Sequence, residues 1–158
     1  MNVSGIPLLR TTIILIGIII LVASIFYLPY LANETATNFP EYAHLKYPIL
    51  IGLYLTLLPF NYALYQSLKL LTHIKRNQVF TVLSTKALRM IRNSAFIIIG
   101  IYLLGGLFLF IQNALHPGII LLGLVIVFTS TVICAFSGLL QKVLQKAIDM
   151  KSENELTI

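Results

Sequence analysis

The chain has 158 residues, of which 58% are hydrophobic and 10% are charged, and its mean hydropathy is +0.93. Because ordinary soluble domains are roughly 25% charged, these values exclude a water-soluble fold and indicate that lipid solvates much of the chain. The net charge is +6, and the positive residues are unevenly distributed along the chain. We therefore interpret them first as a signal of membrane topology and only second as a sign of nucleic-acid binding. A single cysteine, Cys134, excludes an intramolecular disulfide and a cysteine-based metal site.

The first apolar run, residues 11–31, is long enough to cross a bilayer as a helix, since about 20 residues span the hydrocarbon core. It is longer than the apolar region of a signal peptide, so we predict a retained span. Pro29 is expected to mark its fraying end, and Tyr27 and Tyr30 suit the membrane interface. Residues 32–46 form a polar loop that is predicted to fold back onto the membrane surface.

Three further spans are predicted at residues 47–71, 93–113 and 119–140. Pro59 lies near the middle of the second span, where the missing backbone donor predicts a kink. The tight turn at residues 116–118 makes the third and fourth spans a helical hairpin.

Small residues recur at spacing four on the fourth span, at Ser130, Cys134 and Gly138. Such a stripe allows membrane helices to pack closely, although chance in a sequence rich in small residues is the alternative.

A basic segment separates the two apolar halves of the chain. Residues 69–92 carry six of the eleven lysines and arginines, namely Lys69, Lys75, Arg76, Lys86, Arg89 and Arg92. Within the amphipathic part, residues 73–92, apolar side chains at helical spacing predict one buried face, formed by Phe80, Leu83, Ala87 and Ile91. Lys86, Arg89 and Arg92 form a separate stripe, and Thr81 is the predicted N-cap. We expect a surface helix that continues into the third span.

The positive charges also predict the orientation. Ten of them lie on one side of the predicted spans and only Lys46 lies on the other, which favours a cytoplasmic location for both termini and the basic segment. The predicted fold is an all-α, integral-membrane four-helix bundle, a single domain over residues 1–158. Two helical hairpins are joined by the basic cytoplasmic segment, and residues 141–158 form an exposed, mobile cytoplasmic tail. The expected location is the bacterial cytoplasmic membrane.

Several motifs carry a resemblance to a known family. The resemblance lies in LPFNYALYQSLKLL at residues 58–71, NQVFTVLSTKALRMIRNSAF at 77–96, PGIILLGLVIVFTSTVI at 117–133 and the ending LLQKVLQKAIDMKSENELTI at 139–158. In these motifs the chain resembles the bacterial membrane proteins of domain-of-unknown-function family 2975. The resemblance implies a small four-helix membrane protein, often encoded beside a small Cro-type helix-turn-helix regulator. It implies no catalytic residues. His73, Lys75 and Arg76 make this loop more basic than is usual in the family.

We find no pattern that indicates a reaction. The sequence has no glycine-rich phosphate loop and no Ser-His-Asp arrangement, and no carboxylate lies inside a predicted span. The last feature argues against a proton-coupled pump and an intramembrane acid–base enzyme. His44 and His116 are expected outside and His73 inside, so the three cannot share a metal. We therefore predict no catalytic, cofactor-binding or metal-binding residues and no enzymatic activity.

Polar side chains also align along the second span. Tyr47, Tyr54, Asn61, Tyr62, Tyr65 and Lys69 fall within one arc of about 100° on a helix. Because polar groups in lipid need partners, this stripe should face the interior or a groove. It is either a packing face held by side-chain hydrogen bonds or a groove for a ligand or peptide. The candidate groove residues are Tyr54, Asn61, Tyr62 and Tyr65.

The basic segment has three interpretations. It fixes topology and binds anionic lipid, or it docks a cytoplasmic protein, or, least favoured, it binds nucleic acid directly. The candidate partner-binding or lipid-binding residues are Lys75, Arg76, Lys86, Arg89, Arg92, Leu156 and Ile158. No helix-turn-helix pattern is present, so direct nucleic-acid binding is not predicted. A homo-oligomer is compatible with the sequence.

The leading hypothesis is a non-enzymatic membrane protein that regulates or sequesters a small cytoplasmic helix-turn-helix transcription regulator. The alternative is an immunity or export-type membrane protein that gives resistance to a membrane-active peptide or a small toxic molecule. A transporter ranks third, because no charge is predicted within the membrane.

Overall fold

The computed structural model describes residues 5–157, and every regular element in that range is helical. Four long helices follow one another: α1 (Gly5–Asn38), α2 (Lys46–Lys75), α3 (Val82–Ile111) and α4 (Pro117–Thr157). A short 3₁₀ helix, Pro40–Leu45, joins α1 to α2. All four long helices are apolar and long enough to cross a membrane, so the predicted all-α fold with four spans is confirmed.

The helices extend beyond the predicted spans. Pro29 lies inside α1 instead of ending it, and α2 continues through Pro59. A proline removes only one backbone donor, whereas breaking the helix in lipid would leave many polar groups without partners. The predicted polar loop at residues 32–46 is therefore mostly helical, and the predicted mobile tail continues α4 as helix to Thr157.

The helices pack in chain order. Helix α1 packs against α2, α2 against α3, and α3 most extensively against α4. Within residues 5–157, the backbone of α1 does not closely approach α3 or α4, and that of α2 does not closely approach α4. The four helices thus form an open layer in which α1 and α4 each have one close helical neighbour.

Small residues form the seam between α3 and α4. Ser130 and Cys134 of α4 are buried, and within residues 5–157 α3 is the one helix whose backbone closely approaches α4. Small side chains allow two helix backbones to approach closely in lipid, where van der Waals packing replaces the hydrophobic effect. The predicted stripe on the fourth span therefore lies at a helix interface.

Two connections lie at one end of the layer, which we call the hairpin end. Asn113 lies in the turn that follows α3 and has a φ of 56°, a left-handed conformation that asparagine tolerates. Pro117 begins α4, and the amide of Gly118 donates to Nδ1 of His116 over 3.1 Å. The α1–α2 connection is held against this turn, because the Tyr42 hydroxyl donates to the Asn113 carbonyl at 3.3 Å.

The opposite end, here called the basic end, carries the α2–α3 connection. The uncharged part of α3, residues 93–111, is about 28 Å long at 1.5 Å per residue, which matches the hydrocarbon core of a bilayer. Residues 82–92 of α3 and 141–157 of α4 therefore extend past the apolar layer. We call them the two-helix projection.

Candidate functional site

The α2–α3 connection is anchored by one carbonyl group. Gln78 accepts hydrogen bonds at its backbone oxygen from the Thr81 hydroxyl at 2.6 Å and from the Ser84 hydroxyl at 3.0 Å. Ser84 is 0% exposed. Thr81 is the N-cap of α3, as predicted, but its side chain bonds back to the loop instead of capping the helix. The connection is consequently fixed to the first turn of α3.

The buried face of α3 differs from the predicted one. Ala87 and Ile91 are buried as expected, but Phe80 and Leu83 are exposed. The buried face instead includes Ser84 and other residues that the apolar pattern did not select, chiefly Thr85, Leu88, Ser94, Ala95 and Ile98. Its small and hydroxyl-bearing residues sit between helices, because neighbouring backbones must approach there.

The structure separates the basic residues into two groups. Lys75, Arg76, Lys86 and Arg89 are exposed at the basic end. Arg92 is only partly exposed, and its Nε atom is buried. A spacing of three residues rotates each position by about 60° around a helix, so the third member of the stripe turns towards α4. Phe80, Val82 and Leu83 add exposed apolar surface beside the exposed cations.

The end of α4 is the most exposed part of the two-helix projection. Residues 141–157 form about 26 Å of continuous helix. Leu144 is buried near the start of this stretch, whereas Leu156 is 84% exposed near its end. Ile158, the other predicted contact in the tail, lies outside the described residues.

The four candidate groove residues of α2 have different surroundings. The Tyr54 hydroxyl donates to the Ser24 carbonyl of α1 at 2.9 Å, whereas the Asn61 amide donates to Leu57 of its own helix. Tyr62 is 45% exposed and Tyr65 is 53% exposed. Only one of the four candidates therefore makes the interhelical hydrogen bond expected of a packing face. The ring of Tyr65 instead lies beneath the ammonium group of the exposed Lys69, and the Lys69 Nζ atom is 5.1 Å from the Tyr65 ring centroid.

Two cavities open between the helices. Asn61 and Tyr65 line the smaller one, about 260 Å³, which lies between α1 and α2. The larger one, about 510 Å³, lies among α2, α3 and α4 towards the hairpin end, and none of the four candidate residues lines it. Its polar lining includes Tyr102 and Thr56, whose hydroxyl donates to the Gly52 carbonyl at 3.0 Å. A cavity of this size and apolarity accommodates a small apolar ligand or an acyl chain.

Sequence reasoning missed a set of polar groups near the basic end. Gln66 of α2 and Ser137 of α4 are buried. Among the described residues, three buried side-chain atoms lack any hydrogen-bond partner: Nδ1 of His73, Nε of Arg92 and Oε1 of Gln141. Buried polar groups usually have partners, so these atoms mark the places where a water or ligand would contribute most. Gln141 follows an apolar run, and nothing in the sequence distinguishes it from a surface residue.

The first helix is tied to the same end. Arg10 of α1 donates from Nη2 to the Thr72 hydroxyl of α2 at 2.8 Å. Within residues 5–157, no group of three or more His, Cys, Asp or Glu side chains is placed to hold a metal ion. The arrangement offers cations, hydrogen-bonding groups and apolar surface, which suit binding.

Comparison with known proteins gives a family and a relative. The family model described as "Protein of unknown function (DUF2975)" matches residues 30–158. The uncharacterized membrane protein YoaS of Bacillus subtilis (strain 168) is 45% identical over 163 residues, and the match covers 100% of both chains. No solved structure matches the chain.

Proposed function

The chain belongs to the DUF2975 family of membrane proteins, and we propose that it is a non-enzymatic member that regulates or sequesters a small cytoplasmic helix-turn-helix transcription regulator. The proposed docking surface is the part of the two-helix projection formed by the start of α3 and the last turn of α4, residues 153–157. In this proposal the protein lies in the bacterial cytoplasmic membrane with both termini inside, so that the projection reaches the cytosol. The ten-to-one distribution of cations supports that orientation.

The observation that carries the proposal is the surface at the start of α3. Lys86 and Arg89 are exposed beside the exposed apolar side chains of Phe80, Val82 and Leu83. Cations that only fixed topology would need no adjoining apolar patch and no rigid helix beyond the span. A surface that combines both suits a partner with an acidic rim and an apolar centre.

The tail offers a second contact. Leu156 is exposed on the same projection, at the end of α4. Two weak contacts on one rigid support raise the overall affinity, because the second contact forms at a high effective concentration. Charge pairing at Lys86 and Arg89 should also make the affinity fall with salt.

The test is a pull-down of the candidate regulator with the intact protein in detergent or nanodiscs. We expect Lys86→Glu with Arg89→Glu to reduce recovery of the regulator, because the partner's acidic groups would then be repelled. Deletion of residues 153–158 should also reduce recovery. Lys142→Glu with Lys146→Glu is the matched control, since it makes the same charge change on exposed positions of α4. Membrane fractionation verifies that each variant inserts.

Equal losses in the control would show that net charge, not the proposed surface, determines recovery. The larger cavity favours a second candidate function, the immunity or export-type role, because it is apolar and lies within the membrane. If both test variants retain the regulator while a bulky substitution at Gly105 or Gly123 sensitises cells to a membrane-active peptide, that role replaces the first. Both glycines line the cavity, and neither has a neighbouring atom within 4 Å of the position that a Cβ would occupy.

A further inference from the structure

Arg92 is held in the seam between α3 and α4. Its Cδ atom lies 3.4 Å from the position that a Cβ would take on Gly138, so the arginine side chain packs across α4 at this glycine. Nε is buried and has no hydrogen-bond partner within residues 5–157. The residue as a whole stays partly exposed, so a ligand at the edge of the seam can reach the guanidinium group.

The described chain supplies no counter-ion for this charge. The five carboxylates belong to Glu34, Glu41, Asp149, Glu153 and Glu155, which lie in or beside the α1–α2 connection or in the last turns of α4. No ion pair involves Arg92 among the described residues. Arginine stays protonated in proteins, and the buried Nε of this partly exposed side chain gains from an anion that accepts a hydrogen bond at the edge of the seam. The anion that completes this site therefore comes from outside the described chain.

The depth of Arg92 indicates which anion is available. It directly precedes the uncharged part of α3, whose length matches the hydrocarbon core. Arg92 thus lies at the level where lipid phosphates border the hydrocarbon. Basic pockets between membrane helices at this level bind phospholipid headgroups. An arginine side chain also offers two parallel N–H donors that fit two oxygens of one phosphate.

Gln141 narrows the choice of headgroup. It lies one turn beyond Gly138 on the same face of α4, and its Oε1 atom is a buried acceptor without a partner. A ligand that satisfies both residues carries a phosphate for Arg92 and a hydrogen-bond donor for Gln141. Phosphatidylglycerol has a hydroxyl donor and phosphatidylethanolamine has an ammonium donor, whereas phosphatidylcholine has neither.

We propose that Arg92 and Gln141 form a binding site for the headgroup of a phospholipid, with the phosphate on Arg92 and the headgroup donor on Gln141. This proposal is independent of the regulator hypothesis and of the orientation of the chain, since phosphates border both faces of a bilayer. The proposal gives Arg92 a different role from that of Lys86 and Arg89, although the three residues form one stripe in the sequence.

The test uses the delipidated protein in detergent and measures the melting temperature as lipids with matched acyl chains are added. We expect phosphatidylglycerol and phosphatidylethanolamine to raise the melting temperature more than phosphatidylcholine. Diacylglycerol, which lacks the phosphate, and inorganic phosphate at the same concentration should leave it unchanged. Arg92→Gln should weaken the apparent lipid affinity about tenfold or more, as loss of a charge-assisted hydrogen bond predicts. Lys86→Gln, which removes an exposed charge from the same helix, should not.

A purely structural role for Arg92 predicts a different pattern. Arg92→Gln would then be less stable with and without lipid, whereas our proposal expects it to be at least as stable as the wild type without lipid, because a buried Nε donor without a partner is removed. If Arg92→Gln does not fold, Arg92→Lys keeps the charge but loses the two-donor edge and should respond more weakly to lipid. Gln141→Leu should abolish the preference over phosphatidylcholine. A wild-type response in either arginine variant, or full stabilisation by inorganic phosphate, would overturn the site.

Discussion

At the scale of single residues, side chains that look equivalent in the sequence have different partners. Tyr54 and Tyr62 both belong to the tyrosine stripe, yet only Tyr54 hydrogen-bonds another helix within the described chain. Asn61 donates from its side-chain Nδ2 to the carbonyl one turn earlier in α2, so this hydrogen bond forms without α1. Periodicity placed these residues on one arc, but it could not say which of them reach an acceptor.

We therefore predict unequal effects of removing the two hydroxyls. Tyr54→Phe should lower the free energy of unfolding by about 0.6 kcal/mol, the average for a hydrogen bond between membrane helices. Tyr62→Phe removes the same atom from an exposed side chain and should have little effect. Reversible unfolding in mixed micelles measures both. An equal effect of the two changes would contradict the assigned role of the bond to Ser24.

Arg92 is another residue whose surroundings could not be predicted from its spacing in the sequence. In the sequence it is the third member of a basic stripe, and nothing there separates it from Lys86. Its Nε atom is buried where the side chain packs against Gly138, which lies 46 positions later and reaches it only after α3 and α4 pair. Long-range packing of this kind is not encoded in local spacing.

At the scale of helices, the sequence predicted that α3 exists but assigned only part of its buried face correctly, since Ala87 and Ile91 are buried and Leu83 is exposed. The pattern rule assumes that apolar side chains turn inwards, which holds in water. In lipid the apolar side chains can face the solvent, and small or hydroxyl-bearing residues fill the helix interfaces. Leu83 is exposed and Ser84 is fully buried, although the apolar pattern predicted Leu83 to be inside.

These adjacent residues provide a matched pair of substitutions. Ser84→Leu should destabilise the start of α3 by about 1–3 kcal/mol, because a larger side chain has no space there and the hydrogen bond to Gln78 is lost. Leu83→Ser should cost little, since its side chain is exposed. Hydrogen exchange of the amides in residues 82–92 is the measurement. Faster exchange in Leu83→Ser than in Ser84→Leu would instead support the buried face that the apolar periodicity predicted.

At the scale of the whole molecule, the number of spans was predictable and their arrangement was not. Backbone groups in lipid must be satisfied within each segment, so long apolar runs have to be helices. The order of packing depends instead on which faces carry small residues, and here it produces an open layer. Most of the surface of α1 and α4 is consequently available to lipid or to a second copy of the chain.

Orientation is the property of the whole molecule on which the proposed function most depends. The cation count predicts that the hairpin end faces outwards and the basic end faces the cytoplasm. Cysteine labelling can test this if the native Cys134, which is buried, is first replaced by alanine. Ser84 is unsuitable as a reporter, because its burial would prevent labelling on either side.

Thr37 and Gln78 are suitable reporters, because both are exposed and they lie at opposite ends of the layer. In intact cells, an impermeant thiol reagent should label Thr37→Cys and should not label Gln78→Cys. Lysis should then make Gln78→Cys reactive, which shows that the membrane, and not burial, had protected it. The reverse pattern would place the two-helix projection outside the cell, where a cytoplasmic regulator cannot reach it. The regulator proposal would then fail, whereas the phospholipid site at Arg92 would remain on the outer leaflet.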